Sequence, residues 1–191
     1  ETNIRLGGEW IETRLLSSGP RTNPWFRECS MRIIEKGDLV SFDTDLIGPY
    51  GYCSDMSRSW LCGDKPSDEQ RRLYAAAFEQ IESNIAVLKA GRTFLEVAGK
   101  CWPIPEEFLS NRYSVSMHGV GLADEYPSIK HSVDVAGNAY DGVIEAGMTL
   151  CVESFIGSYG GREGVKLEEQ VIVTEAGIER MSTYPFEIDW L

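Results

Sequence analysis

This sequence has few basic side chains, and its cysteines lack the spacing of a disulfide framework or a zinc site. Its 18 Lys and Arg stand against 30 Asp and Glu, for a formal net charge of -12 and a pI near 4.6. A surface this acidic repels phosphate groups, so we expect no nucleic-acid or anionic-membrane partner, whereas metal ions and cationic substrates are favoured. The five cysteines are odd in number and form no C-x-x-C pair. This excludes a disulfide framework and a zinc finger, and it indicates reduced thiols in the cytoplasm.

Long apolar runs and a leader segment are missing as well. No run approaches the roughly 18 residues needed to cross a bilayer, so we expect no membrane span. The first residue is Glu1 rather than Met, and no basic-then-apolar segment follows it. This predicts that residues 1–191 are a processed or excised piece of a longer protein. With 42% hydrophobic residues and no low-complexity tract, the piece is long enough to form a single domain.

The order of the predicted elements is typical of an α+β protein. Residues 9–17 have helical spacing, whereas 39–47 and 51–60 form the two strands of a predicted hairpin. Ser67 opens a capping box before an amphipathic helix that stops at Gly91, and a capping box at Thr93 opens a shorter helix. A β-rich return follows, with apolar runs at 143–144, 149–156, 164–167 and 170–174. We therefore expect helices covering one face of a mainly antiparallel sheet.

Several carboxylates lie inside apolar strand patterns instead of loops. Asp43 and Asp45 are two apart on one predicted strand and share a face, and the hairpin brings Asp55 near them. Buried carboxylates need counter-charge, and few basic residues lie beside these sites, so we expect hard divalent or trivalent cations. Each residue alone could be an edge-strand charge facing water, but the whole set favours Fe, Zn, Mn or Co. The candidate metal ligands are Asp43, Asp45, Asp55, His118, Glu153 and Glu168.

The segments around these residues resemble the metal-binding motifs of the pita-bread family, which includes prolidases and methionine aminopeptidases. The resemblance covers nearly the whole chain and implies an α+β pita-bread fold with a curved antiparallel sheet, covering helices and a dinuclear metal site. Asp55 follows Asp43 by twelve residues and Asp45 by ten, on either side of the family's usual spacing, so we expect both to bind metal. The matching segments are Phe42-Asp43-Thr44-Asp45, Gly51-Tyr52-Cys53-Ser54-Asp55, His118-Gly119-Val120-Gly121, Glu153 and Gly164-Val165-Lys166-Leu167-Glu168.

Two substrate-binding histidines of the family's peptidases are replaced in this chain. Trp25 and Phe26 stand where prolidases carry one histidine, and Asp124 stands where they carry another. With residues 18–25 and 42–53, these departures resemble one branch of the family, the dimethylsulfoniopropionate lyases of the DddP type. That resemblance implies bound iron, three aspartate ligands, a homodimer, a small zwitterionic substrate and an upstream domain that is missing from residues 1–191.

The implied reaction is a β-elimination that yields dimethyl sulfide and acrylate. It needs a base for the proton α to the substrate carboxylate, and the resemblance assigns that role to Asp124, whose pKa a dry acidic pocket would raise. Without the resemblance, Asp124 would be interpreted as an acidic residue in a loop, exposed to solvent. A sulfonium cannot donate hydrogen bonds, so aromatic faces should hold it, and Trp25 and Tyr113 are the candidates. Phe26 is left undecided.

Two other functions remain open. One is a metallohydrolase of the same fold, either an Xaa-Pro peptidase or a creatinase-like enzyme. The presence of only two histidines counts against it. The other is a non-enzymatic binding module, which is disfavoured because every ligand position of the family is filled.

Overall fold

The structure is a computed structural model that describes residues 1–63 and 65–191. Its α-helices are α1 (Thr2–Arg5), α2 (Asp68–Val87), α3 (Phe94–Ala98), α4 (Glu106–Leu109) and α5 (Val135–Asn138). Its strands are β1 (Trp10–Ile11), β2 (Leu16–Ser18), β3 (Leu39–Asp43), β4 (Leu46–Ile47), β5 (Cys53–Ser54), β6 (Ser57–Leu61), β7 (Met117–Gly119), β8 (Ser128–Ile129), β9 (Thr149–Ile156), β10 (Val165–Val173) and β11 (Ile178–Arg180).

The predicted hairpin is present, but it is built in two parts. β3 pairs with β6, and β4 pairs with β5, so the two halves belong to different three-stranded sheets. Thr44 and Asp45 lie between β3 and β4, whereas Asp55 and Met56 lie between β5 and β6. At each break the backbone leaves the hydrogen-bonded strand pair. Asp45 lies at one break and Asp55 at the other.

The helix predicted over residues 9–17 is wrong. The segment forms β1 and β2, in which Trp10 pairs with Ile47 and Leu16 pairs with Phe42. Within β2, Leu16 is exposed whereas Ser17 and Ser18 are buried. Hydrogen bonds to the hairpin strands therefore override a weak local helical pattern.

A five-stranded antiparallel sheet carries the second half of the chain, in the order β11-β10-β9-β7-β8. The two runs predicted at 164–167 and 170–174 form one continuous strand, β10. The acidic residues between the runs do not break it. Glu169 is buried and forms a salt bridge of 2.9 Å with the buried Arg58, so its charge is compensated inside the fold.

Helix α2 packs on β9 and β10 and closes the main core. It begins at the predicted capping box, where the Ser67 side chain accepts from the Gln70 backbone N–H and the Gln70 side chain accepts from the Ser67 N–H. Its fully or nearly buried residues Leu73, Ala77 and Ile81 face the sheet. Helices thus cover one face of the sheet, as predicted. In the described part of the chain, no helix is long and apolar enough to cross a membrane.

Candidate metal centre

Strand register brings two glutamates and a histidine together. Glu153 on β9 pairs directly with Glu168 on β10, so both side chains leave the same face of the sheet. His118 on β7 lies beside them, with its Nε2 atom 3.2 Å from Glu153 Oε1 and 3.6 Å from Glu168 Oε1. All three side chains are buried. Like charges placed directly opposite destabilise a sheet, so this arrangement requires a cation between them.

The interrupted hairpin supplies the three aspartates. Asp43 ends β3, Asp45 follows it in the break, and Asp55 comes from the break on the opposite side. One ligand atom from each of these three lies within 4.8 Å of the others. Asp55 also belongs to a second such group with His118, Cys151 and Glu168. The two groups therefore share one carboxylate, which is an arrangement suited to two neighbouring ions.

The protonation of the cluster shows how strongly it attracts positive charge. Burial opposes a charge on His118, yet its hydrogen bond to Glu153 and the attraction of Glu153 and Glu168 raise the pKa of His118 to about 12. Burial and the charge of Glu168 raise the pKa of Glu153 to about 8, and burial raises the pKa of Asp43 to about 7. The surroundings of His118 Nε2, which faces both glutamates, therefore favour positive charge.

Two buried carboxylate oxygens in the cluster lack any hydrogen-bond donor. These are Asp55 Oδ1 and Glu168 Oε1. A buried acceptor without a partner is rare in folded proteins because its desolvation is not compensated. Metal coordination would satisfy both atoms, and carboxylates with one imidazole suit Fe, Mn, Co or Zn. The residues present therefore fit a metal centre.

One buried cation already lies within the cluster, and sequence analysis missed it. The Lys166 ammonium is within salt-bridge distance of Glu153, lies 3.2 Å from Glu168 Oε2 and is 3.8 Å from Asp43 Oδ2. The expectation that few bases lie beside these sites is wrong at this position. Lys166 lies two residues before Glu168 on one strand, so the shared face was visible in the sequence. Its role depended on carboxylates contributed by other strands.

Two hydroxyl groups hold the aspartates in place. Ser57 Oγ donates to Asp43 Oδ1 at 2.6 Å and also contacts Glu168 Oε2 at 2.9 Å. Thr13 Oγ1 donates to Asp45 Oδ2. Neither hydroxyl was singled out from the sequence, because each is brought to the site by strand pairing.

Three of the candidate ligands, Asp43, Asp45 and Asp55, open onto a cavity of about 520 Å³. Asp124 lies at its wall, half-buried, with Oδ1 3.7 Å from His118 Nδ1. Burial, partly offset by His118, raises the pKa of Asp124 to about 6. A carboxylate with that pKa can accept a proton near neutral pH. The cavity lining includes Glu12, Thr13, Leu15, Phe26, Glu28, Asp43, Asp45, Asp55, Tyr113, Asp124 and Glu125.

The two predicted aromatic residues occupy different places. Tyr113 lines the cavity, and its hydroxyl donates to Glu125 Oε1 at 3.0 Å. Trp25 is 6% exposed and stacks on Phe155 in a small apolar cluster behind the cavity wall. Phe26, the neighbour of Trp25, lines the cavity and stacks on Tyr113.

Similar sequences belong to two enzyme classes. The chain is 49% identical over 189 residues to dimethylsulfoniopropionate lyase DddP of Roseovarius nubinhibens, covering 97% of this chain and 42% of that protein. It is 30% identical over 173 residues to Xaa-Pro dipeptidase of Pyrococcus furiosus, covering 88% of this chain and 46% of that protein. The chain thus spans less than half the length of either relative.

Solved structures and the family pattern agree on the fold. Prolidase from Pyrococcus furiosus matches with a TM-score of 0.79 and 26% identity, over 94% of this chain and 51% of that one. X-Pro aminopeptidase from Thermotoga maritima matches with a TM-score of 0.77 and 26% identity, over 94% and 49%. The pattern of metallopeptidase family M24 matches residues 3–175. The α+β pita-bread fold expected from the sequence is confirmed, and the chain belongs to metallopeptidase family M24.

Proposed function

We propose that this chain is the catalytic part of a lyase that cleaves dimethylsulfoniopropionate into dimethyl sulfide and acrylate. The observation that carries the proposal is the position of Asp124. It is a half-buried carboxylate that opens onto the same cavity as Asp43, Asp45 and Asp55. The 49% identity to a dimethylsulfoniopropionate lyase supports the same reaction.

Asp124 would remove the proton from the carbon α to the substrate carboxylate. The electron pair of that C–H bond forms the double bond of acrylate, while the bond between the β-carbon and sulfur breaks. Dimethyl sulfide leaves with the electrons of the broken bond, and the proton remains on Asp124 until solvent takes it. Metal ions, when bound, would polarise the substrate carboxylate and so make the α proton more acidic.

The candidate ligands for two such ions are the six predicted from the sequence. Asp55 would be shared, since its carboxylate belongs to both groups of ligand atoms. The resemblance to the lyases favours iron and a homodimer, and the five unpatterned cysteines favour a cytoplasmic location. These finer points belong to the same proposal. The same proposal includes a single catalytic domain over residues 1–191 and an upstream domain before it. The proposed ligands are Asp43, Asp45, Asp55, His118, Glu153 and Glu168.

The dimethylsulfonium end of the substrate would lie against aromatic rings. Of the two predicted residues, Tyr113 is the one that lines the cavity, where it stacks on Phe26. The role of Trp25 in binding the substrate stays a prediction. Trp25 is not among the residues that line the cavity, and it packs in the apolar cluster that also contains Tyr113 and Leu15.

Headspace gas chromatography for dimethyl sulfide tests the reaction. Metal-loaded protein should release the gas, and Asp124→Asn should lose at least about 100-fold in kcat, since removing a positioned base costs roughly 10²–10⁴-fold. Asp189→Asn is the matched control, because it makes the same change at an exposed position outside the cavity lining. Full activity in Asp124→Asn would exclude Asp124 as the base, and silence from the full-length, iron-loaded wild type would exclude the lyase.

The same assay across pH tests the protonation state of the base. Asp124 acts only when ionised, and its pKa is raised to about 6. Activity should therefore rise with pH through about 6 and fall about tenfold per unit below it. An acid limb near pH 4, the ordinary range of a carboxyl group, would contradict the assignment.

Hydrolysis of Xaa-Pro dipeptides is the second candidate. It is favoured by the 30% identity to an Xaa-Pro dipeptidase and by the shared fold. Proline release from a dipeptide, without dimethyl sulfide from dimethylsulfoniopropionate, would select it.

A further inference from the structure

Phe26 presents an open aromatic ring to the cavity. Its side chain is 58% exposed, and its backbone has a φ of 68°, in the left-handed region that bulky residues rarely adopt. The ring stacks on Tyr113 with 5.2 Å between centroids and 23° between planes. Strained backbone of this kind persists where the surrounding structure holds it, and it clusters at ligand-binding sites.

The rings behind Phe26 already contact a cation. Lys166 Nζ lies 4.8 Å from the centroid of Tyr113 and 5.9 Å from that of Trp25. Tyr113 is 5% exposed, and its hydroxyl is bound to Glu125. A second positive charge placed on Tyr113 or Trp25 would meet the repulsion of the fixed ammonium.

Phe26 also shares the cavity with exposed carboxylates. Glu12, Glu28 and Glu125 line it, and Glu28 is paired with Arg14 at 3.0 Å. A cation over the Phe26 ring would gain from the electron-rich face and from these carboxylates together. A carboxylate at the other end of the same molecule would then point toward the metal cluster.

We propose that Phe26 is the specificity-determining residue that receives the onium group of the substrate. The inference rests on the proposed function, because it assigns the cationic end of that substrate to one ring. Tyr113 then supports the Phe26 ring from behind, and Lys166 keeps the cation from moving deeper.

Binding of two matched carboxylates tests this without using the lyase reaction. The cation is 3-(trimethylammonio)propanoate, and 4,4-dimethylpentanoate has the same shape without the charge. Isothermal titration of metal-loaded wild type should show tighter binding of the cation. Phe26→Leu should reduce that preference about two- to fivefold, the range expected for one partly exposed ring. Phe26→Trp should keep it.

The controls separate charge recognition from packing. Tyr159→Leu removes another exposed ring, 83% exposed and outside the cavity lining given above, and should leave both affinities unchanged. An equal loss for both probes in Phe26→Leu, or a wild type that does not prefer the cation, overturns the inference. A wild type that prefers the cation but releases no dimethyl sulfide keeps the inference and excludes the lyase.

Discussion

Asp55 belongs to both groups of possible ligand atoms at the candidate metal centre, so its replacement should affect both proposed ions. We predict that Asp55→Asn lowers the metal content from two ions per chain and weakens binding at least about 100-fold, since even groups that only orient a metal ligand contribute 10–100-fold. Metal analysis after dialysis and titration with Mn²⁺ measure both effects. Asp189→Asn, at an exposed position, is the control. Two ions bound with wild-type affinity would show that Asp55 is not a ligand.

Individual residues show how far sequence reasoning reaches at this site. Asp43 and Glu153 could be singled out because a carboxylate in an apolar strand is conspicuous. Lys166 could not be given its role, because a lysine in a strand usually extends to solvent, and here its partners come from three different strands. The position of Trp25 was also beyond the sequence, since neighbouring aromatic residues differ in burial only after the loop folds.

Among the elements, α2 offers the clearest test of a local signal. Its capping box joins Ser67 to Gln70, and the helix covers β9 and β10, which carry Glu153 and Glu168. Ser67→Ala should lower the free energy of unfolding by about 1 kcal/mol, the usual cost of losing such a cap. Urea denaturation measures it, with Ser114→Ala at an exposed loop position as control. Equal stability of wild type and Ser67→Ala would mean that the cap contributes nothing here.

Elements with strong local signals were predicted well, and those formed by pairing were not. The start of α2 and the bounds of β9 follow from a capping box and from a continuous apolar run, whereas α2 ends at Val87 and not at the predicted Gly91. The segment 9–17 lacked such a signal, and its strands exist because the hairpin offers them partners. The continuity of β10 depends on Arg58, which compensates Glu169 from another strand.

Across the whole molecule, metal binding and folding should be coupled. The cluster buries several carboxylates, with Lys166 as a fixed counter-charge, in a chain of net charge -12. We predict that Lys166→Met lowers the stability of the chelated protein by about 3–5 kcal/mol, the cost of breaking a buried ion pair. Added metal at 100 times its Kd should restore about 2.7 kcal/mol.

Urea denaturation with EDTA and with Mn²⁺ checks this coupling. Lys100→Met, at an exposed lysine, should leave both curves near those of wild type. If Lys166→Met unfolds at the same urea concentration as wild type in EDTA, the ammonium is not the counter-charge of the metal-free cluster.

The pairing of Glu153 with Glu168 across β9 and β10 has a consequence for quality control during folding. Side chains alternate along a strand, so a slip of one residue would turn one glutamate to the opposite face of the sheet. A chain that acquires its metal has therefore aligned its longest hairpin correctly. Metal retention would therefore report on strand alignment, because newly made chains with a misaligned β9–β10 hairpin would fail to retain metal.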